Sequence, residues 1–226
     1  PADALALAQA LVDTAQGAGC MTSALVTDMN QPLVASAGNA LEVIAVMEVL
    51  TSGDLFSDLA RLTQALGGEV LALGGLAADA ADGEARIARA LSSGEAADAF
   101  GEMVAALGGP HDFIERWRDR LPAARAMVDV VPREGGFVGR IDTRALGEAV
   151  VRLGGGRLKQ DDRIDLAVGL SDIARVGERV EPDRPLARIH AASEEAARAV
   201  AGRIRAAFTL VDHAPEVPSL IHERIG

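Results

Sequence analysis

The chain has 226 residues, 49% of them apolar and 24% charged, a balance that belongs to a globular fold and excludes a disordered one. A formal net charge of -11 argues against nucleic acid or an anionic membrane surface as the main partner, and no run of about 20 apolar residues could span a bilayer. The length fits one large domain or two modest ones with a sizeable core. The single cysteine, Cys20, excludes an internal disulfide framework and fits a reducing, cytoplasmic setting, where it reads as a small core residue. The sequence does not open on Met and starts in mid-helix pattern, which suggests a truncated or processed chain.

In chain order, Asp3 can cap a first helix whose Leu7, Leu11 and Ala15 recur at helical spacing up to Gly17 and Gly19. The stretch from Ala24 to Val43 then organises the chain. Ala24-Leu25-Val26 is apolar without alternation and predicts a strand covered on both faces, as in a parallel sheet flanked by helices. Asp28, Asn30 and Pro32 end it. Asn39 followed by Glu42 resembles a capping pair, so a helix is expected from Ala40. Polar residues between a parallel strand and a helix N-terminus sit where open α/β sheets place ligands; the plain alternative is a polar connection. Val43, Val46, Met47 and Leu50 form one helical stripe, closed by Thr51-Ser52-Gly53, and Leu55, Leu59, Leu62 and Leu66 form another, ending at Gly67-Gly68. Both read as core.

From Glu69 to Gly109 the pattern stays helical, with a break at Asp82-Gly83, a helix over 85–91, and another opened by Ser93-Gly94 and stopped by Gly108-Gly109-Pro110. His111, Asp112, Glu115 and Trp117 invite a metal or acid-base reading, but with one histidine and none at ligand spacing they read as a solvated helix surface. Composition shifts near Leu121-Pro122, the expected domain boundary. Beyond it, 127–131 and 136–141 are β-rich and predict strands of an antiparallel unit. Asp142 caps a helix over 143–153 that stops at Gly154-Gly155-Gly156. With Arg157 these glycines could cradle phosphate, but they follow a helix C-terminus, whose dipole repels anions, so a helix stop is the better reading. Residues 176–189 follow the turn-and-strand pattern of barrel-sandwich carrier modules. The one lysine, Lys159, lies well before that hairpin, which argues against a carrier. An Ala-rich helix is expected over 193–212, with Glu194 and Glu195 in its first turn, and the tail at Leu220-Ile221 can add an edge strand.

The runs Thr27-Asp28-Met29-Asn30-Gln31-Pro32-Leu33 and Ala37-Gly38-Asn39-Ala40-Leu41-Glu42-Val43 closely resemble the pyrimidine nucleoside phosphorylases. The similarity continues through Gly135-Gly136-Phe137-Val138, Asp142-Thr143-Arg144-Ala145-Leu146-Gly147, Gly154-Gly155-Gly156-Arg157 and Ile164-Asp165-Leu166-Ala167-Val168-Gly169, and so covers nearly the whole chain. The resemblance implies the C-terminal half of such an enzyme: the C-terminal part of its α/β domain over 1–120, and over 121–226 a smaller α+β domain with a barrel-sandwich-like β unit. It implies phosphorolysis of a pyrimidine nucleoside, thymidine first among them, to free base and a pentose 1-phosphate. Phosphate and nucleoside are the implied partners, in a cytoplasmic homodimer with no cofactor, no nucleic acid and no membrane.

The family's phosphate and base contacts lie upstream of the region matched here, so no catalytic residue is assigned and the isolated chain is expected to be inactive. Some members bind a structural cation through main-chain oxygens that correspond to Leu33 and Ser36, together with a Glu whose position is held here by Ala45. Loss of that carboxylate, along with ligands from the absent half, weakens a site for a hard cation. Two other readings stay open: a stand-alone binding or structural module, and a phosphorylase for another nucleoside or nucleotide.

Overall fold

A computed structural model describes residues 2–226. In chain order it places α1 (Ala2–Gly17), β1 (Ala24–Thr27), α2 (Asn39–Ser52), α3 (Asp58–Leu73), α4 (Ala80–Ser93), α5 (Glu95–Ala106), α6 (Phe113–Arg120), β2 (Ala126–Val130), β3 (Gly136–Ile141), α7 (Thr143–Val150), β4 (Gly169–Ser171), β5 (Arg179–Val180), β6 (Ala187–Ala191), α8 (Glu194–Ala206), β7 (Phe208–Val211) and β8 (Ile221–Ile225). The chain divides into two compact units: one holds residues up to Asp28 with Glu48–His111 and Pro218–Gly226, the other Met29–Met47 with Asp112–Val217.

In the first unit, β1 pairs antiparallel with β8, Ala24 opposite Ile225 and Val26 opposite Glu223. This corrects the parallel strand expected for Ala24–Val26, while the tail does supply a strand. All four residues of β1 are half-buried; an apolar run without alternation states only that neither face is fully wet, and is silent on strand direction.

Helix α3 runs through Gly67 and Gly68, where a stop was expected, and α4 runs through the expected break at Asp82-Gly83. The glycines are where the two helices touch. A Cβ on Gly83 would lie 2.5 Å from the Gly68 carbonyl oxygen, and one on Gly68 would lie 2.6 Å from the Ala80 oxygen. Glycine's helix penalty of about 1 kcal/mol is offset here by backbone approach that no side chain allows. Ser57 caps α3 and Asp79 caps α4, each accepting a first-turn amide.

The core of this unit is made largely of small residues, among them Ala60, Ala65 and Ala97 with Val12 and Leu91. The expected stripes are displaced: Leu7 and Leu11 of α1 and Leu66 of α3 are exposed, and the buried positions are Val12, Ala60, Ala65 and Gly68.

The second unit carries the larger core, including Leu146, Leu170, Leu186, Ile189 and Ile204, all under 2% exposed. Its strands form two three-stranded sheets, ordered β2-β6-β4 and β5-β3-β7, with every pairing antiparallel and no closed barrel. Strand β6 alternates cleanly: Ala187, Ile189 and Ala191 point inward, and Arg188 and His190 outward. Asp142 caps α7 through the Ala145 amide at 3.0 Å, and the chain leaves that helix through a π turn, Val151–Gly155, with Gly154 at φ +99°. Ser193 caps α8, which ends at Ala206 rather than continuing to Asp212; Phe208-Thr209-Leu210-Val211 pairs with β3 instead. That run is rich in β-branched and aromatic residues, whereas the helix is dominated by Ala.

In α6, Trp117 is 4% exposed, with Arg118 stacked 3.9 Å from its ring centroid. Only part of the surface expected for this segment is therefore solvated. Asp112 is held by Arg120 at 2.8 Å, and His111 and Glu115 face solvent.

Candidate functional site

Residues 29–37 form a bent strap along the second unit, and alternate positions carry hydrogen bonds. Ala37 exchanges both backbone bonds with Leu170, at 2.7 and 2.9 Å. The Ile173 amide donates to the Ala35 oxygen at 3.0 Å, an Arg175 Nη1 donates to the Leu33 oxygen at 3.3 Å, and the Val176 amide donates to Gln31 Oε1 at 3.1 Å. The strap thus runs antiparallel to residues 170–176 and covers the free edge of β4. The segment 175–178 is itself pinned: Glu178 Oε2 accepts the Arg175 amide at 2.8 Å, and Arg184 pairs with the same carboxylate.

Where strap meets sheet, two glycines face each other. Gly38 has φ +134° and Gly169 φ +158°. A Cβ on Gly169 would lie 2.3 Å from the Ala37 oxygen, and one on Gly38 would lie 2.6 Å from the Val168 oxygen. No other residue type permits this crossing without moving the backbone.

The strap feeds α2. Glu42 Oε1 reaches back to the Gly38 amide at 2.9 Å, as a capping pair does. The helix starts at Asn39, one residue earlier than expected, and the Asn39 side chain donates to the Gly155 oxygen at 3.1 Å rather than capping. Gly38 takes the turn that Asn39 was expected to make, which frees the amide to tie down the glycine triplet. The Ala40 amide donates to the Leu166 oxygen. Protein groups therefore take the Gly38 and Ala40 amides at the helix N-terminus, as a plain polar connection would have it. A depression of about 460 Å³ lies beside it, between Gly38, Asn39, Val43, Gly147 and Gly155; its one carboxylate, Glu42, is engaged in the cap, and it holds no nucleophile. The glycine triplet acts as the helix stop, with the Asp165 amide donating to the Gly154 oxygen at 2.9 Å.

Of the implied cation ligands, Leu33 and Ser36 are both half-buried. The Leu33 oxygen faces a guanidinium, and Ser36 Oγ donates to the Leu41 oxygen at 3.3 Å. Ala45 brings no oxygen. Hard cations of the calcium type take six to eight oxygens at about 2.3–2.6 Å, usually with carboxylate charge among them. Position 45 thus supplies none of that carboxylate charge, and among the described residues no cluster of three or more His, Cys, Asp or Glu offers another metal site.

One polar cluster escaped the sequence reading. On the outward face of β2, β6 and β4, His190 Nε2 lies 2.9 Å from Ser171 Oγ, which also donates to Asp172 Oδ2 at 3.2 Å. Arg188 bridges Asp172 and Asp129, at 3.3 and 2.7 Å. Burial, reinforced by Arg188, pushes the His190 imidazole below its ordinary range, so it is neutral at pH 7. The carboxylate here bonds the serine and not the imidazole, which is not the relay of a nucleophilic triad. The only sequence trace of the cluster is the alternation of β6, since Ser171 lies 19 residues from His190 and Asp129 lies 59 from Arg188.

Residues 137–211 match the pyrimidine nucleoside phosphorylase C-terminal domain; they run from β3 to β7 with α7 and α8, and β2 lies outside them. Over those residues the chain is similar to that domain. It is 46% identical over 220 residues to a thymidine phosphorylase of Burkholderia lata, a match that covers 97% of this chain and 50% of that protein. The chain thus spans about half the length of the curated relative it matches.

Proposed function

We propose that this chain works as the C-terminal half of a thymidine phosphorylase, a pentosyltransferase of nucleoside salvage that converts thymidine and phosphate reversibly to thymine and 2-deoxy-α-D-ribose 1-phosphate. The 46% identity to the Burkholderia lata thymidine phosphorylase, sustained over nearly the whole chain, carries the reading. In this reaction a phosphate oxygen bonds C1′ of the sugar as the glycosidic bond breaks, and the bonding pair leaves with the pyrimidine. Catalysis therefore needs donors around phosphate, a group that takes charge on the departing base, and tolerance of positive charge on the sugar. The strap and the α2 N-terminus supply none of these, because their polar groups are spent on each other. Their role is to shape and stiffen a wall.

The division of labour proposed is 1–120 for the C-terminal part of the catalytic α/β domain and 121–226 for the α+β domain. The working enzyme is proposed to be a cytoplasmic homodimer that meets neither nucleic acid nor membrane. Among the described residues no helix is long and apolar enough to cross a membrane. The test is thymine release from thymidine in phosphate buffer by the purified 226-residue chain. No release above the enzyme-free control is expected, and phosphate-dependent release would place the chemistry inside this chain.

A further inference from the structure

We propose that the Arg175 guanidinium does, at the strap, the work that a bound cation would do: it holds the Leu33 carbonyl, so residues 31–37 are fixed without metal.

Three observations converge. First, Arg175 Nη1 donates to the Leu33 oxygen at 3.3 Å, in a half-buried setting. Arginine is charged at every accessible pH, so the positive charge is permanent. Second, this contact is one rung of a ladder. The Val176 amide bonds Gln31 on one side, and the Ile173 amide bonds Ala35 on the other; Arg175 fills the rung between, where its own amide is already given to Glu178. Third, position 45 carries Ala, so a cation near Leu33 would find no carboxylate there and would stand against a fixed positive charge. A side-chain cation tethered to the next segment thus replaces a free one.

Thermal unfolding of the purified chain tests this in buffers of matched ionic strength that contain choline, sodium, potassium or calcium, and in EDTA. The midpoints are expected to agree within about 1 °C, because a ligand stabilises only the state that binds it. Arg175→Ala is expected to lower the midpoint by about 3–6 °C and to speed hydrogen exchange at the Ala37 and Ile173 amides by about ten-fold or more. Arg175→Lys, which keeps the charge and one donor, is expected to recover part of both. A rise of several degrees with potassium or calcium alone in the unmodified chain would overturn the proposal. So would an Arg175→Ala chain with an unchanged midpoint and unchanged exchange at those amides.

Discussion

Gly169 marks the tightest point of the strap. Any side chain there meets the Ala37 oxygen at 2.3 Å and must also adopt φ +158°. Gly169→Ala is therefore expected to destabilise the chain by about 3 kcal/mol, measured by urea unfolding, while Gly202→Ala, where a Cβ meets nothing within 4 Å, is expected to be neutral or slightly stabilising.

His190 gives a pH signature of definite sign. Its folded pKa lies below the ordinary 6.5, chiefly through burial, so below about pH 6.5 the unfolded chain takes up a proton that the folded chain refuses. Stability from this group is full above that pH and is lost as pH falls toward the folded value. His190→Gln, which can still bond Ser171, is expected to flatten the fall of the unfolding midpoint between pH 7.5 and 5.5; an unchanged slope would assign the acid sensitivity elsewhere. This histidine was not legible from sequence as part of a cluster, because a cross-sheet pair leaves no local spacing.

At the scale of elements, helices and caps were largely legible, and glycines were where reading failed. Asp142 caps α7 as its sequence context states, because a cap is a contact within three residues; Ser193, expected inside its helix, caps α8 instead. Gly67, Gly68 and Gly83 read as breaks because the local signal is the same whether a glycine ends a helix or lets a second helix approach. Only the partner decides, and it lies more than ten residues away. The direction of β1 was lost for the same reason, since its partner β8 is the last element of the chain. Of the candidate site, the Glu42 cap and the glycine stop were legible; Arg175 was not, because nothing near it in sequence marks a rung of a ladder built with residues 31–37.

The helix contact has its own test. Gly83→Val would press side-chain atoms against the Gly68 backbone, and about 1–3 kcal/mol of destabilisation is expected. Because α3 and α4 belong to the first unit, hydrogen exchange should quicken there and leave β2 and β6 of the second unit protected.

At the scale of the molecule, the two units differ in how well they close. The second has a continuous core of large side chains; the first buries mostly alanines and leaves Leu66 and Val70, one turn apart on α3, 48% and 66% exposed, with Phe56 at 86%. Exposed apolar side chains at helical spacing are uncommon on a surface that meets only water. The chain as it stands is expected to bind a hydrophobic dye, and the double substitution Leu66→Gln with Val70→Gln is expected to reduce that binding with little loss of unfolding midpoint, since neither side chain is in the core.

We propose that this chain is a working part of a pyrimidine nucleoside phosphorylase whose chemistry is done by residues outside it. The most direct test is thymine release by a chimera that joins this chain to the half of the Burkholderia lata thymidine phosphorylase it does not match, assayed with thymidine with and without phosphate. Phosphate-dependent release by the chimera, with none from this chain alone, is the expected result. A chimera that unfolds cooperatively, shows native hydrogen exchange at the strap amides and still releases no thymine would overturn that proposal.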